Sequence, residues 1–381
     1  MAVSILQILR REAVQCKHDP RRIVFLFGAA VAYLILFGVL YMPNIVKSVP
    51  CVIYDEEQSQ LSREFVRYIE DSDSFSITDY VDSQEAMQQA LREKNAYAAI
   101  DIPRDFSKKI NRGGSSTMLF MVNGSNIILT NITSSAAQDI VAEFSNKVAA
   151  KRAALSMQVN EEQVSKRIAP VNCHLRVMGN MTQGYVYFFL IGLAMVAFQQ
   201  GIFFSVGASA LYEYEHPDPE VPVWKLLLVK IIMYWSLAML SFGLVIFLLQ
   251  ALWGILLKAP LMQLLALGAV FCLAAISFCL LAASCFQTEM QFVRAAIMYP
   301  VPAFIFSGYT WPAEAMGPAM QFIAQFFPLT WLSNTVRELF LTGISAHYMQ
   351  SLTVLLFFVL VCLPLANVLF SYGRKRALSD K

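Results

Sequence analysis

Residues 307–343 read SGYTWPAEAMGPAMQFIAQFFPLTWLSNTVRELFLTG. The stretch is too interrupted to be a single membrane span and too apolar to be an ordinary loop. Gly308, Pro312, Pro318 and Pro328 break helices by freeing or fixing φ and by removing backbone donors, while Met316, Met320, Ile323, Phe326 and Phe327 recur at helical spacing between them. That pattern predicts two short helices dipping into one face of a bilayer. Backbone groups at membrane depth must all be bonded, so such breaks survive only where protein buries them or where they line a water-filled cavity. The plainer alternative is that these residues end a helix at the surface.

The rest of the chain supports a membrane setting. Of 381 residues, 57% are hydrophobic and 15% charged, far from a soluble average. A net charge of +2 and the lack of a basic run interleaved with aromatics argue against a nucleic-acid partner. Residues 1–20 form an amphipathic interfacial helix, with Ile5, Ile8, Leu9 and Ala13 on one side and Arg10, Arg11 and Lys17 elsewhere. Residues 21–42 follow as the first span. Later spans are expected over Gly184–Leu211, Ile231–Leu257, Leu261–Phe286, Ala295–Phe306 and Met349–Tyr372, with Pro300 and Pro302 kinking the fifth. The fold class is thus an α-helical membrane protein with six transmembrane helices and an inserted domain. Arg10, Arg11, Lys17, Arg21 and Arg22 before the first span, and Arg374, Lys375, Arg376 and Lys381 after the last, put both termini in the cytoplasm.

Residues 43–180 have the composition of a mixed α/β domain, which this orientation makes extracytoplasmic. Strands are expected over Val49–Tyr54, Ser76–Tyr80, Ala96–Ile102 and Thr117–Val122. Helices are expected over Gln58–Ile69, Ser83–Arg92 and Pro103–Ile110, with Ser83 as N-cap, then from Ser125 to Met157 and again after a cap at Asn160 and Gln163. The domain is either a rigid spacer or a site for cargo or a partner. Its two cysteines, Cys51 and Cys173, each lie near a span and would pair as a disulfide if brought together outside the cytoplasm. Gln199 and Gln200 sit in the middle of the second span, where they either bond a neighbouring helix or line a substrate path.

Taken in order, Ser307, Gly308, Pro312, Met316, Gln321, Pro328, Arg337 and Gly343 resemble the signature of the type-2 ATP-binding-cassette (ABC) permeases. In that family Met-Pro usually stands where this chain has Met316-Gly317, with Pro318 one place late. Arg176, Asn180 and Tyr185 weakly resemble the entry to the family's second span. The large insertion between the first two spans resembles the subset found in drug and lipophile exporters of the bacterial inner membrane. The resemblance makes residues 212–230 a cytoplasmic coupling loop for an ATPase, with Glu213, Glu215 and Lys230 at the matching positions. Pro217, Pro219 and Pro222 replace the family's usual run, so the loop either docks a divergent ATPase or is a solvated acidic turn. Residues 181–381 would hold spans two to six, with outer re-entrant helices at 308–343.

No Gly-x-x-x-x-Gly-Lys-Ser/Thr loop is present to cradle ATP phosphates, and the spans carry no row of carboxylates or histidines for ion coupling. His18, His174, His216 and His347 fall in separate loops, and no metal site or catalytic set is expected. The resemblance therefore implies a transport subunit that is not itself an enzyme, its ATP and Mg held by a separate ABC ATPase. It further implies a second permease copy or paralogue, membrane lipids around the spans and a periplasmic adaptor as a further partner. The cargo would be drug-like or lipid-like. A rival class is a non-transporting membrane receptor or assembly factor that keeps the permease layout.

Overall fold

A computed structural model describes residues 4–42, 47–125, 127–157 and 185–379. The chain divides into two compact units, 45–175 and the remainder.

In the helical unit, five helices among the described residues are long and apolar enough to cross a membrane. They are α2 (Arg21–Leu40), α7 (Tyr185–Glu215), α8 (Val223–Trp253), α9 (Leu261–Ser284) and α14 (Tyr348–Ser379). The centre of the unit is α7. Leu190, Ile191, Ala194, Met195, Phe198, Ile202 and Val206 along it are all buried, as befits a helix apolar on every side. By contrast, α2 and α14 expose Leu36, Val39, Phe357 and Leu360, the faces a bilayer would cover. Within α2, Val24–Gly28 form a π turn, and the widened turn is held by its neighbours. Ser205 Oγ donates to the Arg22 carbonyl at 2.5 Å and Ser241 Oγ to the Leu26 carbonyl at 2.8 Å.

Two departures from the sequence reading bear on how the helical unit is built. The expected span Ala295–Phe306 is instead two consecutive helices, α10 (Glu289–Met298) and α11 (Pro300–Phe306), meeting at Tyr299. Pro300 and Pro302 supply no N–H, so the ladder fails there although Tyr299 keeps helical dihedrals. The pair still runs the length of α7: Phe292 fills the hollow at Gly207, Tyr299 meets the Phe203 ring, and Phe304 stacks on Tyr309, whose ring covers Gly192. The second difference is the expected 212–230 loop. Helix α7 continues to Glu215 and α8 starts at Val223, because Pro222 is tolerated just before a first turn, which leaves a short turn at 216–222.

After α11 the chain turns at Gly308, which has φ +82°, into a 3-10 turn at Ala313–Ala315, then α12 (Pro318–Ala324) and α13 (Pro328–Leu341). Pro318 and Pro328 open their helices, and Gly317 caps the first of them. The N-terminal helix α1 (Ile5–His18) buries Ile8, Glu12 and Cys16 along one face.

The second unit carries a four-stranded sheet in the order β2-β1-β3-β4, with β1 (Val49–Asp55) parallel to β2 (Phe75–Tyr80) and β3 (Ala98–Ile102). β4 (Leu119–Val122) pairs antiparallel with β3. α3 (Gln60–Glu70), α5 (Phe106–Asn111) and α6 (Ile127–Met157) cover one face, around Cys51, Ile53, Phe65, Phe106 and Phe144. α4 (Gln84–Arg92) covers the other through Met87, and Ser83 caps it by accepting from the Ala86 N–H. Helix α5 starts at Phe106 rather than at Pro103, Asp105 taking the cap position. The cap expected at Asn160 and Gln163 lies outside the described residues.

Candidate functional site

One end of the helical unit is built from three sets of residues at four-residue spacing that face each other. Ile8, Glu12 and Cys16 repeat every four residues on α1, Ser209 and Glu213 share a face of α7, and Lys230 and Tyr234 share a face of α8. Glu12 and Lys230 are both 0% exposed. Lys230 Nζ donates to Glu12 Oε2 at 2.7 Å, to Ser209 Oγ at 2.7 Å and to the Ser209 carbonyl at 3.0 Å, and lies 3.4 Å from Glu213 Oε1. The other Glu12 oxygen accepts from Ser209 Oγ and, at 3.4 Å, from the Tyr234 hydroxyl, with Arg22 at 3.7 Å. Burial alone would raise the Glu12 carboxyl, but the Lys230 ammonium, Ser209 and Arg22 outweigh it and hold it below the ordinary carboxylate range.

Arg11 closes the cluster from above. One of its nitrogens donates to both Glu213 oxygens at 3.0 Å and another to Asp218 Oδ2 at 3.1 Å, so α1 is tied to the 216–222 turn as well as to the helices flanking it. Two of the three residues expected to serve coupling, Glu213 and Lys230, therefore meet in a buried network, while Glu215 stays exposed at the end of α7. Sequence reasoning missed Glu12, Arg11 and Arg22. The available signal was the four-residue spacing that puts Glu12 on the apolar side of α1 with Ile8 and Cys16.

At the opposite end the 308–343 segment is held by Arg337. Its guanidinium donates to the Gly308 carbonyl at 3.3 Å and to Asn334 Oδ1 at 3.0 Å, and sits 5.1 Å and 5.0 Å from the Phe188 and Tyr309 rings. A Cβ on Gly308 would lie 2.9 Å from Asn334 Oδ1, so both space and φ call for glycine there. Ser307 donates to the Phe304 carbonyl at 2.6 Å, and Gln321 donates to the carbonyls of Ala313 and Met316 at 3.1 and 2.9 Å, fixing the 3-10 turn that follows Pro312. Pro328 is buried at the start of α13. A cavity of about 590 Å³ opens between α12, α13 and the start of α14, lined by Met316, Gln321, Asn334, Glu338 and His347.

Between the two ends, the adjacent glutamines of α7 address the broken helix. Gln199 Nε2 donates to the Tyr299 hydroxyl at 3.0 Å, and Gln200 Nε2 to the Ala296 carbonyl at 2.8 Å. The Ala296 carbonyl is the acceptor that Pro300, lacking an N–H, leaves unserved. In the other unit, Cys51 is a buried thiol in the sheet core, pushed up to about 12 by burial. Cys173, Arg176 and Asn180 lie outside the described residues.

The five helices of membrane-spanning length are thus pinned by buried charge at one end and capped by interrupted helices at the other. A family model described as "ABC-2 family transporter protein" matches residues 21–367. The chain is also similar to a protein described as "Probable multidrug ABC transporter permease YbhR" from Escherichia coli strain K12, at 20% identity over 350 residues, covering 89% of this chain and 90% of that one. The same match is found in Escherichia coli O157:H7. The chain belongs to the ABC-2 family of transporter proteins. Members of this family are membrane transport subunits that work with a separate ABC ATPase.

Proposed function

We propose that this chain is the membrane-spanning permease of an ATP-driven exporter that moves amphiphilic or hydrophobic compounds out across the bacterial cytoplasmic membrane. The observation carrying this reading is the continuity of α7. Glu213 and Ser209 at one end are locked to α1 and α8, and Gly192 and Phe188 at the other end lie directly under Tyr309 and Arg337 of the interrupted helices. A displacement imposed on the 216–222 turn therefore passes along one rigid rod to the gate. The broken pair α10 and α11 serves as a further crossing, which gives six and places both termini in the cytoplasm. The inserted domain then lies outside, where it receives cargo or docks a periplasmic adaptor. Two ATP sites at a two-fold ATPase interface call for two such turns, so the permease pairs with a second copy or a paralogue, and Mg and ATP reside on the ATPase.

The test is co-purification with the ATPase subunit and turnover of the reconstituted pair. Glu215→Arg on the exposed end of α7 is expected to lower cargo-stimulated ATP hydrolysis at least tenfold in a permease that still folds and purifies as a single species. A wild-type chain that retains no ATPase in mild detergent would instead favour a receptor.

A further inference from the structure

Beside this cluster, a cavity of about 320 Å³ opens between the 216–222 turn and the end of α14. One wall is Pro219, Val221, Pro222 and Trp224, and the other is Asn367, Ser371, Arg374, Lys375 and Leu378. Arg374 is 4% exposed, so its guanidinium lies within the protein rather than in solvent. One nitrogen donates to the Val221 carbonyl at 2.7 Å, but Nε and the other terminal nitrogen have no acceptor among the described residues. Asn367 Oδ1 is also buried there without a donor. Glu213 and Asp218, whose charges reach Arg374, are already bonded to Arg11. A buried cation with unserved donors is costly unless an anion completes it.

The surroundings specify which anion. Toward the membrane from Lys375, the same side of α14 exposes Tyr372, Val368 and Leu365, an apolar strip such as acyl chains cover. Trp224 at the rim is 54% exposed, the usual setting of an aromatic side chain at the headgroup level. Lys375 adds an exposed cation at the mouth. We propose that the cavity binds the phosphate-bearing headgroup of an anionic phospholipid, with Arg374 and Lys375 holding the phosphate, Asn367 accepting from a headgroup hydroxyl, and the chains lying along Val368 and Leu365. Basic recesses between membrane helices recognise lipid headgroups by this chemistry. The bound headgroup joins α14 to the turn that follows α7, so it sets how stiffly that turn is held.

Binding is read on the permease alone, so its outcome is separable from the export reading. The full chain is reconstituted in phosphatidylcholine nanodiscs with or without phosphatidylglycerol, then analysed by native mass spectrometry and thermal unfolding. Retained phosphatidylglycerol and a raised melting temperature are expected for the wild type. Lys375→Glu, on the exposed rim where folding is not at stake, is expected to weaken retention about tenfold, as loss of a charge-assisted contact does. Arg374→Gln is expected to abolish it, and Leu378→Trp, which fills the cavity while keeping both cations, to do the same. Equal retention of both lipids, unchanged retention in Lys375→Glu and Leu378→Trp, or equal stabilisation by free inorganic phosphate would each overturn the proposal.

Discussion

Glu12 and Lys230 show how one pair of residues decides the state of an entire helix. Neither is accessible to solvent, and each is the other's principal counter-charge, so neutralising one leaves the other buried with only a longer ion pair, Lys230 with Glu213 at 3.4 Å or Glu12 with Arg22 at 3.7 Å. Glu12→Gln is expected to destabilise the detergent-solubilised protein by about 3–5 kcal/mol, measured by thermal or denaturant unfolding, whereas Glu12→Leu with Lys230→Met recovers most of the loss. The pH dependence has a definite sign. The folded Glu12 carboxyl titrates below its ordinary value of 4.5, so the stabilisation is fully present above that pH and is lost as the pH falls toward the folded value. Unfolding midpoints of the wild type should therefore drop in acid more steeply than those of the double variant. The pair was not legible in the sequence. The four-residue spacing from Ile8 and Cys16 marks Glu12 as facing inward, but its partner is 218 positions away, a distance no local pattern spans.

At the scale of elements, helix breaks and their repairs occur together. Pro300 removes a donor and Gln200 of the adjoining α7 supplies one, so the two residues are coupled across the interface. Gln200→Leu is expected to cost about 1–3 kcal/mol in the wild-type background, the penalty for an unserved buried carbonyl. In Pro300→Ala, where an N–H is restored, the same change should cost far less, and the non-additivity in a double-mutant cycle of unfolding energies measures the repair. Arg337→Lys keeps the charge but loses the fork to Gly308 and Asn334 and the flat contact with two rings. Faster hydrogen exchange in 308–343 is expected, with α9 unaffected. The prolines made these breaks visible in the sequence, but not their partners. The expected 212–230 loop is also too long, because the helix breaks end at Pro222 and α8 already carries Lys225 and Lys230.

For the molecule as a whole, legibility follows the range of the interactions. The four strands and the helices between them were located to within a few residues from runs of Val, Ile, Tyr and Phe and from the Ser83 cap, because those signals are local. Sheet order was not, since β1 lies between β2 and β3 only through crossovers. With two packed faces of its own, the 45–175 unit is expected to fold when excised, giving a single cooperative melt by circular dichroism. The π turn of α2 also fixes a rotation. Because each residue advances a helix by about 100°, the extra residue taken up at Val24–Gly28 sets the azimuth at which Arg22 meets the carboxylates below it. Deleting Phe25 would shorten the segment only slightly, yet it would swivel everything upstream, and the arginine would then point its charge into lipid.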